Sequence, residues 1–198
     1  DASHELRSPL TVIQMASDVL LQGTSLGEPE RRAVQRIRRS ARDMEELTAA
    51  FLLLARESEV GLPTETVSIN DVVATELERA LPLAEGRPVA LQIDARCCLS
   101  INAPEKVLSV LLGNLLRNAV AYTNAGRVRV EIQADAVVIE DTGVGLPAGR
   151  IRDRGQPFVR GSTGRPGYGV GLTIVRRLSD RFGWPVEFTR EAGVGTRV

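Results

Sequence analysis

Aromatic side chains are scarce in this chain, only 4% of 198 residues, so any core must be filled by Leu, Val, Ile and Ala. Those residues are sufficient. The hydrophobic share is 43%, and the length allows one large domain or a small one plus a medium one. Cysteine is nearly missing: Cys97 and Cys98 are adjacent, a spacing that suits neither a disulfide framework nor a zinc site. They read as strand residues in a reducing compartment. Net charge is zero, from 25 basic and 25 acidic residues. With no basic excess and no basic tract interleaved with aromatics, nucleic-acid binding is set aside. Long apolar runs are missing too. The longest, Ala49 to Ala55, falls far short of the about 20 residues that cross a bilayer, and no signal-peptide pattern is visible. Histidine occurs once, as His4.

What is present has helical period first. Leu6, Leu10, Ile13, Ser17 and Leu20 recur in steps of four and three, the seam of one helix with a single polar member. After a turn from Gln22 to Pro29, a second seam runs Val34, Ile37, Ala41, Met44, Thr48, Phe51 and Ala55. Two near-heptad helices with a short connection predict an antiparallel hairpin. One hairpin cannot bury both seams, whereas two copies can, so residues 1–58 are expected to form a four-helix bundle in a homodimer. The stretch from Arg31 to Arg42 alternates with acids and reads as the solvated face.

Glu59 to Pro63 breaks the helical pattern and marks a linker. From residue 64 to 198 the signals alternate. Strands are expected at Val67–Ile69, Val89–Ile93, Leu99–Ile101, Val128–Gln133, Ala136–Asp141, Val186–Thr189 and near Thr196. Helices are expected over Asn70–Glu85, capped by Asn70, over Pro104–Tyr122 and over Tyr168–Phe182. The class is α+β: the helical hairpin, then an α/β sandwich with a mixed sheet and helices on one face.

Five short segments carry chemistry. His4 lies roughly opposite the first seam at about 100° per residue, which points its imidazole to solvent. A lone exposed histidine is ordinarily idle. Here Glu5 stands beside it, able to hold or deprotonate one ring nitrogen while the other attacks phosphorus. Pro9 sits within the same predicted helix, where it removes a hydrogen bond. Asn114 and Asn118, four apart in an otherwise apolar helix, share a face, and inward amides there need partners. A Mg²⁺–triphosphate is one, since Mg²⁺ takes one or two protein oxygens and fills its octahedron with phosphates and water. Asp141 ends a strand before Gly143 and Gly145, where a carboxylate can read an amino group and glycines admit a flat ring. An Asp that merely starts a turn is the plainer alternative. Gly167, Gly169 and Gly171 precede a helix near Leu172, whose free amides can hold phosphate. They are not a dinucleotide fingerprint, because no βαβ unit surrounds them. Gly193 to Thr196 is the fifth segment.

Taken in order, His4-Glu5-Leu6-Arg7-Ser8-Pro9-Leu10, Asn114-Leu115-Leu116-Arg117-Asn118, Asp141-Thr142-Gly143-Val144-Gly145, Gly167-Tyr168-Gly169-Val170-Gly171-Leu172 and Gly193-Val194-Gly195-Thr196 resemble the histidine, asparagine and glycine boxes of sensor histidine kinases. The resemblance spans nearly the whole chain. It implies that His4 is phosphorylated by ATP, that Asn118 holds Mg²⁺, and that Asp141 contacts adenine. Asn114, Tyr122, Gly143, Gly145, Arg160, Gly167, Gly169, Gly171, Leu172 and Thr196 are then the further nucleotide contacts, with a lid over 146–167 ending in Phe158 and Arg160. It also implies onward transfer to an aspartate of a response regulator, and a cytoplasmic fragment of a sensor anchored in the inner membrane. Three positions depart from the family pattern: Ala121 where Lys is usual, Gly155 in place of an aromatic, and Ser8 where phosphatase-competent relatives tend to carry Thr or Asn. The alternatives are an ATP-driven clamp of the same superfamily, which would need a Glu where Leu116-Arg117 stands, and a kinase-deficient scaffold or regulator phosphatase.

Overall fold

A computed structural model describes residues 2–23, 26–145, 170–189 and 195–198. The described residues form two compact units, one built on residues 2–61 and the other on residues 62–145, 172–189 and 195–198, each described on its own.

The first unit is two helices, α1 (Ala2–Gln22) and α2 (Glu28–Val60). α1 runs through Pro9 without a break, and α2 extends two residues into the segment read as a linker. Acidic Glu28 and Glu30 sit in the first turn of α2, where the helix dipole favours negative charge. The cross-links are antiparallel. Gln14 donates to Glu45 at 2.8 Å, Arg38 to Asp18 at 2.9 Å, and Arg31 to the Leu21 and Gly23 carbonyls. Arg31 and Arg38, a heptad apart, therefore bind α1 rather than standing free on a solvated face.

The seams divide in a way their period alone did not reveal. Leu10, Ser17, Val34, Ala41 and Ala50 are buried, while Ile13, Leu20, Ile37, Met44 and Phe51 are exposed. Val12, Met15, Val19 and Leu47 add to the exposed set. Ser17 is tolerated inside because its hydroxyl donates to the Ile13 carbonyl at 2.7 Å, which satisfies a buried polar group. Among the described residues no helix is long and apolar enough to cross a membrane.

The second unit runs β1 (Glu65–Ser68), α3 (Ile69–Ala80), β2 (Val89–Ala95), β3 (Ser100–Ala103), α4 (Glu105–Tyr122), β4 (Gly126–Ile132), β5 (Val137–Asp141), α5 (Val170–Phe182) and β6 (Thr196–Arg197). A four-stranded mixed sheet has the order β2-β4-β5-β6, parallel between β2 and β4 and antiparallel elsewhere. β1 and β3 form a separate antiparallel pair. Alternation along β4 sorts its faces. Val128, Val130 and Ile132 are wholly buried, as are Leu116 of α4 and Leu178 of α5. Arg129 and Glu131 point the other way, into a charged face where Arg129 meets Asp94 of β2 at 2.6 Å and Arg96 meets Glu131 at 3.3 Å.

Four local expectations are corrected. Ser68, not Asn70, caps α3, accepting from the Asp71 amide at 3.3 Å. The Asn70 amide instead donates to the Cys97 carbonyl and accepts from the Leu99 amide, so Cys97 and Cys98 lie in a clamped loop and not in a strand. α3 stops at Ala80, and Leu81–Ala84 continues as a 3₁₀ turn around Pro82, which has no amide to extend an α-helix. Val186–Thr189 makes no strand. Thr189 makes an isolated antiparallel bridge to Arg197.

Candidate functional site

α4 carries the asparagines. It starts at Pro104, whose missing N–H costs nothing at a helix entrance, and its apolar rows are buried on several sides. Asn114 is only 3% exposed, and its amide nitrogen donates to the Val110 carbonyl at 2.7 Å. Asn118, one turn on, is half-buried, as is Tyr122 after another turn. The Thr123 hydroxyl returns to the Ala119 carbonyl, while Arg87 donates to the Thr123 carbonyl at 2.9 Å. Arg87 thus pairs a cation with the negative end of α4. Sequence reasoning passed it over, since nothing in its spacing ties it to a helix thirty residues away.

Asp141 closes β5. Its carboxylate accepts the Gly143 amide at 2.9 Å, and the Thr196 hydroxyl and amide also donate to it. Partial burial still pushes its pKa above the ordinary carboxylate value, with those three hydrogen bonds pulling the other way. The result is a half-buried acceptor at the sheet's end, held in place and poorly hydrated.

Two glycines make that arrangement possible. A side chain on Gly143 would strike the Tyr122 carbonyl, and one on Gly195, at φ +102°, would strike the Asp141 carbonyl. The positive φ favours glycine independently of the space. The Val144 amide, at 3.4 Å, also reaches the Tyr122 carbonyl. The Asp141–Gly145 loop is therefore docked on the C-terminal end of α4, and β6 on Asp141 from its other side.

Three of the five segments come together in this way: Asn114, Asn118 and Tyr122; Asp141, Gly143 and Gly145; and Gly195 with Thr196. Gly171 and Leu172 are buried at the start of α5. Arg160, Gly167, Gly169 and the lid over 146–167 lie outside the described residues, apart from its boundary with Gly145. His4 and Glu5 belong to the first turns of α1, and their side chains lie outside what the structure describes. Among the described residues no three His, Cys, Asp or Glu side chains are grouped to hold a metal. An ion carried by a triphosphate needs no such group, since one amide oxygen from Asn118 meets the usual protein share. The half-buried acceptor, the close glycine backbone and the paired amides together fit a nucleotide.

Comparison with known proteins agrees. Residues 1–59 match the His Kinase A (phospho-acceptor) domain, and residues 103–198 match the histidine kinase-, DNA gyrase B- and HSP90-like ATPase family. The chain belongs to the sensor histidine kinases, and its second unit is an ATP-binding domain of that ATPase type. It is 30% identical to the phosphate regulon sensor protein PhoR of Pseudomonas aeruginosa, over 99% of this chain and 47% of that protein. It is 29% identical to the sensor histidine kinase YkoH of Bacillus subtilis, over 100% of this chain and 45% of that one. The solved structure of full-length ShkA in complex with AMPPNP is similar at a TM-score of 0.65 and 30% identity, covering 99% of this chain and 43% of that one. The chain spans about half the length of the curated relatives it matches.

Proposed function

We propose that this chain is the dimeric kinase core of a two-component sensor, and that it phosphorylates itself on His4 with ATP. A neutral ring nitrogen of His4 forms the new N–P bond, the bond from the γ-phosphorus to the ADP oxygen breaks, and Glu5 receives the ring proton. An unperturbed histidine is mostly neutral near pH 7. The phosphoryl group then passes to an aspartate of a response regulator. The Asp141–Gly145 loop packed on the last turn of α4 at Tyr122, with Gly195–Thr196 against Asp141 from the other side, carries this reading.

In that site Asp141 accepts the adenine amino group, and Gly143 keeps the approach to the ring open. Asn118 gives an oxygen to Mg²⁺, with Asn114 in support; the ion neutralises charge on the triphosphate. The glycines at 167, 169 and 171 present amides to phosphate at the entrance to α5, and Arg160 adds charge from the lid. Phosphoryl transfer needs mainly positioning and charge neutralisation, which fits a site without a nucleophile of its own. The exposed apolar stripe on α1 and α2 supports dimerisation through the hairpin. The parent protein is read as a membrane-anchored sensor, with this portion in the cytoplasm.

Radiolabelled ATP tests the reading. Wild type should acquire acid-labile, base-stable label, and His4→Ala should lose it while binding nucleotide within about twofold of wild type. Equal labelling of the two proteins would end the proposal. A chain that never labels but dephosphorylates a regulator would be the scaffold or phosphatase alternative instead.

A further inference from the structure

The most deeply buried charge among the described residues plays no part in the site as built so far. Glu76 of α3 is 2% exposed, an expensive place for a carboxylate unless it is paired. Arg79, one turn along the same helix, takes one of its oxygens. The other, Oε2, faces α4. There it lies 3.8 Å from Arg117 Nη1 and only 2.5 Å from where a Cβ on Gly113 would stand. Gly113 leaves the gap that the carboxylate fills, and Arg117 supplies the opposite charge.

Gly113 and Arg117 are four apart and so share one face of α4. Asn114 and Asn118 are each the next residue, about 100° further round on the same two turns. A single carboxylate oxygen from α3 therefore grips the two turns of α4 that carry the asparagines. Apolar rows alone permit small axial slips of one helix on another; a buried carboxylate seated in a glycine notch beside a half-buried arginine resists them.

We infer that Glu76 is a positioning residue for the nucleotide site, acting through Arg117 and the Gly113 notch to fix the rotation of α4 and thereby the aim of Asn118 at the metal-bound phosphates. The inference rests on the proposed Mg²⁺–ATP site and deepens it. Its direct consequence falls on the metal-dependent part of binding. Asp141 closes β5 and is held by Gly143 and Thr196, so the adenine contact stays put when the lock is lost.

The test uses the full chain and isothermal calorimetry with ATP, in Mg²⁺ and in EDTA. Glu76→Gln keeps the volume and removes the charge. It should weaken Mg²⁺–ATP binding about tenfold, the low end for partners that orient a metal ligand, and change metal-free ATP binding less than about twofold. Gly113→Ala is the second variant, because alanine favours a helix and so does not loosen α4 while its methyl displaces the carboxylate. It should show the same metal-selective loss, read as the ratio of the Mg²⁺ to the EDTA affinity at a temperature where the variant is fully folded, since displacing a buried paired carboxylate also costs stability. In a Glu76→Ala background the added Gly113→Ala change should cost much less than it does alone, because the carboxylate it displaces is gone and only Arg117 Nη1, 2.9 Å from the added methyl, must still give way. Equal losses with and without Mg²⁺, or no loss in either variant, would overturn the positioning role. Wild type that binds ATP no better in Mg²⁺ than in EDTA would instead remove the proposed metal site, and this inference with it.

Discussion

In the helical hairpin most large apolar side chains stand in the open, whereas in the α/β unit most are enclosed. Among the described residues, nine of the twelve strongly exposed large hydrophobics lie on α1 and α2, including Val19 at 69% and Phe51 at 63%. Among its described residues the α/β unit exposes Leu81, Ile93 and Val144 in that class, and buries rows from α3, α4, α5 and the sheet. Monomeric surfaces seldom carry so continuous an apolar stripe. The hairpin is thus half of a core and the α/β unit a whole one. A unit with a complete core can bind its ligand alone. A unit that leaves so much apolar surface open needs company to bury it, as the proposed dimer would provide, and the histidine proposed as acceptor is on that unit.

The largest expected effect comes from separating the two. Cut between Gly61 and Leu62, the α/β piece should remain monomeric and bind ATP, while the hairpin piece should sediment as a dimer. Mixed together they should still label His4, but at micromolar concentrations the rate should drop by about 10²–10⁴-fold, because the linker's effective concentration is lost. A monomeric hairpin or a dimeric α/β piece would reverse the comparison.

Next comes a charge in the open stripe. In the intact chain, Phe51→Asp should weaken dimerisation by about 100-fold, as burying an ionised carboxylate in place of an apolar ring costs several kcal/mol. ATP affinity should change less than about twofold, since the nucleotide site is in the other unit. Sedimentation and calorimetry on the same preparation check both halves; an unchanged dimer places the interface elsewhere. Val34→Asp is a useful contrast. Its side chain is buried within the hairpin, so it should melt the helices as well as dissociate them.

Smaller effects should separate residues within the complete unit. Asn118→Ala should weaken Mg²⁺–ATP by about tenfold, roughly 1.4 kcal/mol, and leave metal-free ATP nearly untouched. Asp141→Ala should weaken both by similar factors, at about 1.5–3 kcal/mol for a hydrogen bond to a charged group. Identical calorimetric profiles would refute that division. Ala121→Lys, which restores a cation in the last turn of α4, should tighten ATP binding severalfold, unless lid arginines already supply the charge.

The sequence made the helices and the family legible because both are written in local signals. A 3.6 period marks α1, α2, α4 and α5, and an ordered set of short motifs marks the boxes. Pairing across the chain was less visible. That Val34 and Ala41 turn inward while Ile37 and Met44 turn outward depends on where the second helix lies, and a single heptad seam allows either. Asn70 read as a cap because Asn is a good one; the competing clamp on Cys97 and Leu99 is thirty residues away in sequence and won. Val186–Thr189 has strand composition but forms no strand, and Thr189 makes a single bridge to Arg197. Glu76 was passed over because a charge inside an amphipathic helix reads as solvated until Gly113 and Arg117 are seen beneath it.

The smallest predicted effect sets one carboxylate of the α/β unit against another. Asp94 lies on the open charged face, where the Arg129 bond holds its pKa below the ordinary value. Asp141 lies at the site, where burial raises it. The signs are opposite. A lowered pKa means stability that is present above the unfolded value of 3.8 and is lost as pH falls through the lower folded value. A raised pKa means stability that is fully present below 3.8 and is lost as pH rises through the higher folded value, so ionised Asp141 works against the fold at neutral pH. Asp141→Asn should therefore melt slightly higher than wild type at pH 7, an advantage that vanishes below pH 3.8, while binding ATP more weakly. Asp94→Asn should melt slightly lower at pH 7 and leave ATP binding unchanged. Thermal melts of both variants from pH 3 to pH 8 check the crossing. If Asp141→Asn lost stability at pH 7 as Asp94→Asn does, Asp141 would be a structural carboxylate held by Gly143 and Thr196, and not an acceptor kept poorly solvated for a ligand.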